Sequence, residues 1–140
     1  MADPQAFALD RQLAADTLAV GDLVLSRVLL MDDVRFPWLV LVPRHAGLVE
    51  LGDLPRAERI TLLDEIEQAS STLRALHAPD KLNVAALGNV VAQLHIHVIA
   101  RFRSDAAWPR PVWGVGEPQR HTPAAAAARI TRLRECLGLA

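Results

Sequence analysis

Between Val90 and Arg101 the chain reads VVAQLHIHVIAR. His95 and His97 stand one residue apart in an apolar run, and Gln93 fills the position where a third histidine would complete the alternation. Imidazole works near neutral pH as a nucleophile, a metal ligand or an N–H donor. On an extended segment side chains alternate between faces, so Gln93, His95 and His97 are expected on one face, roughly 6–7 Å apart. Leu94, Ile96 and Val98 then form the opposite, core-facing side. Three uses of the polar face are open. It can be the solvated side of an ordinary strand. It can be a His-x-His metal pair, with further ligands from His45, His77, His121, Asp32 or Asp33, none of which is singled out by spacing. Or one histidine attacks an electrophile while its neighbours hold the leaving group and the developing charge.

The elements that must position this face follow from periodicity and punctuation. A short helix is expected from about Pro4 to Ala19, with Asp3 as cap, Pro4 in the first turn and Phe7, Leu13, Ala14 and Leu18 as a loose apolar stripe. Gly21-Asp22 reads as a turn. LVLSRVLL, residues 23–30, and WLVLVP, residues 38–43, read as a strand pair joined by MDDVRFP. Asp53 is placed as the N-cap of a long helix reaching about His77, with Pro55 in its first turn and Pro79 ending it. Its expected core stripe is Ile60, Leu63, Ile66, Ala69, Leu73 and Leu76, with Glu65 among the outward residues. KLNVAALG, residues 81–88, is a third strand, and the histidine segment is a long fourth. A Pro-rich loop anchored by Trp108 and Trp113 follows. A last helix is capped at Thr122 with Pro123 in first position. The order α-β-β-α-β-β-α argues for an α+β fold with an antiparallel sheet and helices on one face.

QLHIHVIAR resembles the histidine triad (HIT) motif, His-φ-His-φ-His-φ-φ with φ apolar, except that glutamine replaces the first histidine. The flanking order is similar too: NVAALGNVV before the motif, a long helix before that, a hairpin ending in LVLVPRH, and ARF and AAWPRP after it. The likeness covers about residues 23–113. It implies a HIT-like α+β fold, an antiparallel sheet of about four to five strands with a long helix and terminal helices packed on it. One domain over residues 1–140 is expected, with a C-terminal extension and helix over 114–140.

The resemblance also implies nucleotide hydrolase or transferase chemistry. His95 takes the place of the histidine that attacks the α-phosphorus and forms a nucleotidyl-imidazole, and His97 that of the residue stabilising the phosphate oxygens. Gln93 takes the first catalytic position, where an amide can donate and accept hydrogen bonds but cannot deliver a proton. Asn83 resembles an asparagine near the phosphate. Gly88, Asn89 and Val90 resemble the turn that meets it, and Asp32, with Asp33 as the register alternative, resembles the residue that holds the ribose hydroxyls. Glutamine replaces the last motif histidine in the related uridylyltransferases, so transferase activity is not carried over from its presence at the first. The expected substrate is a nucleoside phosphoramidate, a dinucleoside polyphosphate or a related nucleotidyl conjugate. No cofactor or metal is needed by the nucleophile, and a homodimer is expected. The alternatives are a nucleotide-binding module with weak or no catalysis and a metal-binding protein using the His95-x-His97 pair.

Composition narrows the partners. Apolar residues make up 51% and charged residues 22% of 140 residues, as in an ordinary globular domain with a real core. The net charge is −1, and Lys81 is the only lysine among fifteen Lys and Arg. Neither a nucleic-acid nor a membrane surface is implied by bulk charge. The lone cysteine, Cys136, excludes an internal disulfide and is expected to be buried and inert. With no signal-peptide pattern and no spanning apolar run, a cytoplasmic location is expected. Phe36 and Trp38 are expected in the core. Arg44, His45, Arg129, Arg132 and Arg134 are expected on the surface.

Overall fold

The computed structural model describes residues 6–139. A short helix α1 (Arg11–Asp16) leads into β1 (Thr17–Asp22), β2 (Ser26–Met31) and β3 (Trp38–Pro43). A 3-10 turn (Leu51–Asp53) precedes the long helix α2 (Arg56–His77), followed by β4 (Lys81–Ala85), β5 (Ile96–Arg101) and α3 (Pro123–Cys136). The five strands form one antiparallel sheet in the order β1-β2-β3-β5-β4. This is the HIT-like α+β architecture that the sequence implied, with both terminal helices packed on it.

The sheet is covered on both sides, and β3 is buried at every position. Period-two alternation sorts its side chains. Leu39 and Leu41 join Ile96, Val98 and Ala100 of β5 under Leu62, Ala69 and Leu73 of α2 and Leu133 of α3. Trp38, Val40 and Val42 turn to the other side with Ile99, Phe36, Leu13 of α1 and Val112 of the Pro-rich loop. Helices therefore lie on both faces, because the short α1 sits on the loop-covered side.

Several local expectations are corrected. The proposed cap Asp3 and first-turn Pro4 lie outside the described residues, and α1 is capped by Asp10, whose carboxylate accepts from Gln12 and Leu13 N–H. Leu18, Ala19, Gly21 and Asp22 belong to β1, which the expected helix and turn had absorbed. Gly21 admits the end of α3, since a Cβ there would meet Arg134 Nη1 and a Leu139 methyl at 2.8 Å. The inward stripe of α2 is rotated: Leu62, Glu65, Ala69, Thr72 and Leu73 are buried, whereas Leu63 is 66% exposed. Glu65 goes inward because its carboxylate accepts the Leu25 and Ser26 N–H groups at 2.8 and 2.9 Å, closing the turn between β1 and β2. Asp53 caps the 3-10 turn through Val49 and Glu50 N–H rather than starting α2.

The β5 strand is shorter than expected. Its ladder starts at Ile96, and Leu94 donates its N–H to Leu48 O instead. Residues 86–95 form a loop, so Gln93 leaves the strand.

Candidate functional site

A cavity of about 360 Å³, within the range typical of small-molecule sites, opens beside this loop. It is lined by Gln12, Leu13 and Asp16 of α1, by Met31, Asp32, Asp33 and Trp38, by Leu87 to Val91, by His95 and His97, and by Trp113, Pro118 and Arg120.

Both imidazoles have unambiguous partners. His95 Nδ1 lies 2.6 Å from the backbone carbonyl of Gln93. A carbonyl only accepts, so Nδ1 carries the hydrogen, and in the neutral ring Nε2 keeps its lone pair. His97 Nδ1 receives the indole N–H of Trp38 at 3.0 Å. An indole only donates, so Nδ1 of His97 is bare and Nε2 carries the hydrogen. One ring thus presents a base or nucleophile and its neighbour a hydrogen-bond donor, with ring centroids 4.8 Å apart. His97 also touches Trp113 edge-on, centroids 5.0 Å apart, and Trp113 meets Trp38 at 5.7 Å. Burial in this aromatic setting, and then the field of His95, push the His97 pKa down to about 4. The ring is neutral at physiological pH.

Leu87 to Val91 pass along the cavity. Gly88 adopts φ +84°, which glycine accepts without steric cost. The backbone N–H groups of Gly88, Asn89 and Val90 bond no other described residue. They are donors free to meet an anion.

Asp32 lines the cavity, but its carboxylate is engaged: Oδ1 accepts the backbone N–H of His121 at 2.8 Å and lies 2.9 Å from its Nδ1, and Oδ2 accepts Arg120 Nη1 at 3.1 Å. Burial alone would raise its pKa, but these donors override that and hold it low. Asp33 is spent on Arg35 and the Gln119 N–H. Asn83 is absent from the lining; its Oδ1 accepts Arg101 Nη1 at 2.7 Å on the sheet. Arg101, 2% exposed, reaches further to Asp105 and to the Arg110 carbonyl. Burial would raise the Asp105 pKa, but Arg101 and the N–H groups of Phe102, Ala107 and Trp108 together hold it at about 2. This knot fixes the loop that delivers Trp113.

Gln93 turns its side chain away from a row of imidazoles and into the N-terminal segment, where Oε1 accepts Asp10 N–H at 2.8 Å and Nε2 donates to Ala8 O at 2.9 Å. Trp38, Trp113 and Arg120 are among the site residues that sequence reading missed as such. The two tryptophans looked like core or loop anchors, and only the pairing Val40↔His97, with Trp38↔Ile99 beside it, brings the Trp38 indole next to the ring. Trp38 is core as expected, 6% exposed, and also part of the site.

The other candidate ligands lie elsewhere. His45 pairs with Glu58 at 2.6 Å, and the His77 pKa is lowered by burial and by Arg129 and Arg132 of α3. Among the described residues, no group of three or more His, Cys, Asp or Glu is arranged to hold a metal. No helix among them is long and apolar enough to cross a membrane. Arg134 is not simply solvated, since Nη1 binds the Val20 carbonyl at 2.6 Å. Cys136 is exposed, not buried.

A family model described as "HIT domain" matches residues 12–104. The chain is similar to a solved histidine triad protein from Bradyrhizobium japonicum, with 47% identity, a TM-score of 0.92, and coverage of 94% of this chain and 98% of that one. A histidine triad protein from Marinobacter aquaeolei VT8 shows 44% identity and a TM-score of 0.92, over 95% and 97% of the two chains. One from Sinorhizobium meliloti 1021 shows 38% identity and a TM-score of 0.90, over 92% and 96%. No curated protein matches the chain.

Proposed function

The chain belongs to the HIT domain family, and from that premise we propose that it hydrolyses nucleotidyl conjugates through a covalent intermediate on His95. The observation that carries this reading is the His95 Nδ1 contact with the Gln93 carbonyl, which in the neutral ring puts the lone pair on Nε2, beside the cavity. In the first step Nε2 bonds to the α-phosphorus and the bond from phosphorus to the leaving group breaks. The leaving group takes its proton from solvent, because the Gln93 amide has none to give. His97 Nε2–H donates to a phosphoryl oxygen as charge builds there, and the free N–H groups of Gly88, Asn89 and Val90 support the same oxygens. In the second step water attacks phosphorus, the P–N bond breaks, and nucleoside monophosphate departs.

Charge favours one class of the expected substrates. Asp16, Asp32 and Asp33 line the cavity, and Arg120 is the one permanently cationic side chain among the described lining residues. Because His97 is neutral, it adds no charge. A polyphosphate chain would meet little positive potential, whereas a nucleoside phosphoramidate brings a single phosphate and an amine leaving group. The proposed substrate class is therefore the phosphoramidate.

Purified protein mixed with phosphorus-labelled adenosine phosphoramidate tests the reading. Release of adenosine monophosphate is expected, with label trapped on protein by rapid quench and both abolished by His95→Ala. Absence of turnover on this and on diadenosine polyphosphates, with adenosine monophosphate binding intact, would leave a binding module instead. A homodimer remains the proposed assembly, and sedimentation of the purified chain tests it.

A further inference from the structure

We propose that Gln93 is a positioning residue: its amide straps the N-terminal segment to the histidine loop and so sets the part of the cavity wall that α1 provides. The proposal builds on the His95 reading but concerns a separate contact.

In an extended chain the C=O of one residue and the N–H of the residue two further on point the same way, which is how one strand addresses its neighbour. Ala8 and Asp10 present that pair, and the Gln93 amide answers it with one donor and one acceptor at 2.9 and 2.8 Å. The contact spans more than eighty residues of sequence. Asp10 is also the cap of α1, through Gln12 and Leu13 N–H. At six residues α1 is too short to hold its place alone. Its C-terminal end is held by the Asp32 N–H on Asp16 O at 3.0 Å and by Arg120 Nη1 on Ala15 O at 3.5 Å, and its middle by the buried Leu13; the strap is what fastens its N-terminal end. Gln12, Leu13 and Asp16 of α1 face the cavity. On its main-chain side, Gln93 holds the His95 ring through its own carbonyl. One residue therefore registers the reactive ring against the wall the substrate leans on. Neither task moves a proton, which accounts for an amide where the motif's first imidazole would stand.

The test compares the full chain with Gln93→Met, which keeps length and loses both bonds, and with Asp10→Ala, which loosens the same segment from the other side. Arg11 is exposed, so trypsin cleavage there reports whether the segment is fastened. Both variants are expected to be cut several-fold faster at Arg11. Gln93→Met should raise KM for adenosine phosphoramidate about tenfold, the size expected for a pair of neutral hydrogen bonds, and Asp10→Ala, which removes the cap of α1, should raise it in the same direction, both with kcat within about twofold and the pH profile of kcat unchanged. The double variant should be no worse than the more affected single one. Cleavage at the parent rate, or a fall in kcat with an altered pH profile and unchanged KM, would overturn the proposal. If the parent shows no turnover, the nucleotidyl-transfer reading fails by itself. Trypsin cleavage and adenosine monophosphate affinity then decide: faster cleavage with weaker binding supports the strap, and parent-like values of both refute it.

Discussion

The Trp38 indole donates to His97 Nδ1 at 3.0 Å, and this bond decides which nitrogen of His97 carries its proton. It also favours the neutral ring, because a protonated Nδ1 would face another donor. Trp38→Phe removes the donor while keeping most of the packing. Burial and the field of His95 remain and still hold the His97 pKa down, so only a partial rise above about 4 is expected, read by NMR titration of the ring protons. Turnover at pH 7 should fall on the order of tenfold, since the Nε2–H tautomer is no longer enforced.

In the parent, the depressed His97 pKa has a sign for stability. Between 6.5 and about 4 the unfolded chain binds a proton at this ring and the folded chain does not. Stability from this group is fully present above 6.5 and is lost as pH falls through about 4. Denaturant titrations at pH 7.5 and 4.5 should differ in that direction, and His97→Gln should flatten the difference.

Trp113 closes the cavity edge-on against both His97 and Trp38. Trp113→Ala opens that side to water. KM is expected to rise more than kcat falls, because a wall is removed and not a reacting group. Steady-state kinetics on the phosphoramidate check this.

The Arg101–Asp105 pair is almost wholly buried, side chains 2% and 3% exposed. Arg101→Leu takes the one cationic partner from a buried carboxylate and leaves it only the N–H groups of Phe102, Ala107 and Trp108, and should cost about 3–5 kcal/mol in chemical denaturation. Asp105 works in the same sense as His97: its contribution is present above 3.8 and is lost as pH falls toward 2.

Glu65→Ala takes the acceptor from the Leu25 and Ser26 N–H groups inside the protein. The expected loss is about 2–4 kcal/mol, the cost of two charge-assisted bonds in a buried setting. Thermal melting of the variant checks it, and the cavity residues should be undisturbed.

What could be read from sequence was the part governed by strict periods. The α2 helix, the WLVLVP strand and the split between Ile96 or Val98 and His97 follow from repeats of 3.6 and 2. The resemblance through QLHIHVIAR and its flanks supplied the architecture. Reading failed where a polar side chain outbid the pattern. Glu65 turned α2 by accepting a distant turn. Gln93 looked like a strand residue because its neighbours alternate, yet the ladder stops at Ile96 so that the chain can curve past the cavity. β1 was hidden because LAVGD continues an apolar, alanine-rich stretch with no break after α1. Within the site, the two histidines and the Gly88 turn were legible as types at a spacing. Trp38, Trp113 and Arg120 were not, because they come from strand pairing and from a loop of low periodicity folding back over the sheet.

The cavity joins Gln12 and Leu13 near one end of the chain to Trp113, Pro118 and Arg120 near the other, with the imidazoles between them. Chains are made from the N-terminus, but a domain folds as a unit, so these walls come together only when the whole sheet forms. A nascent polypeptide extended just past His97 already owns both rings and the Trp38 indole but lacks Trp113 and the Arg120 guanidinium. The pocket is therefore complete only once residue 120 has been added and the Pro-rich loop has settled. Products of early termination would carry the whole histidine motif without a pocket to use it.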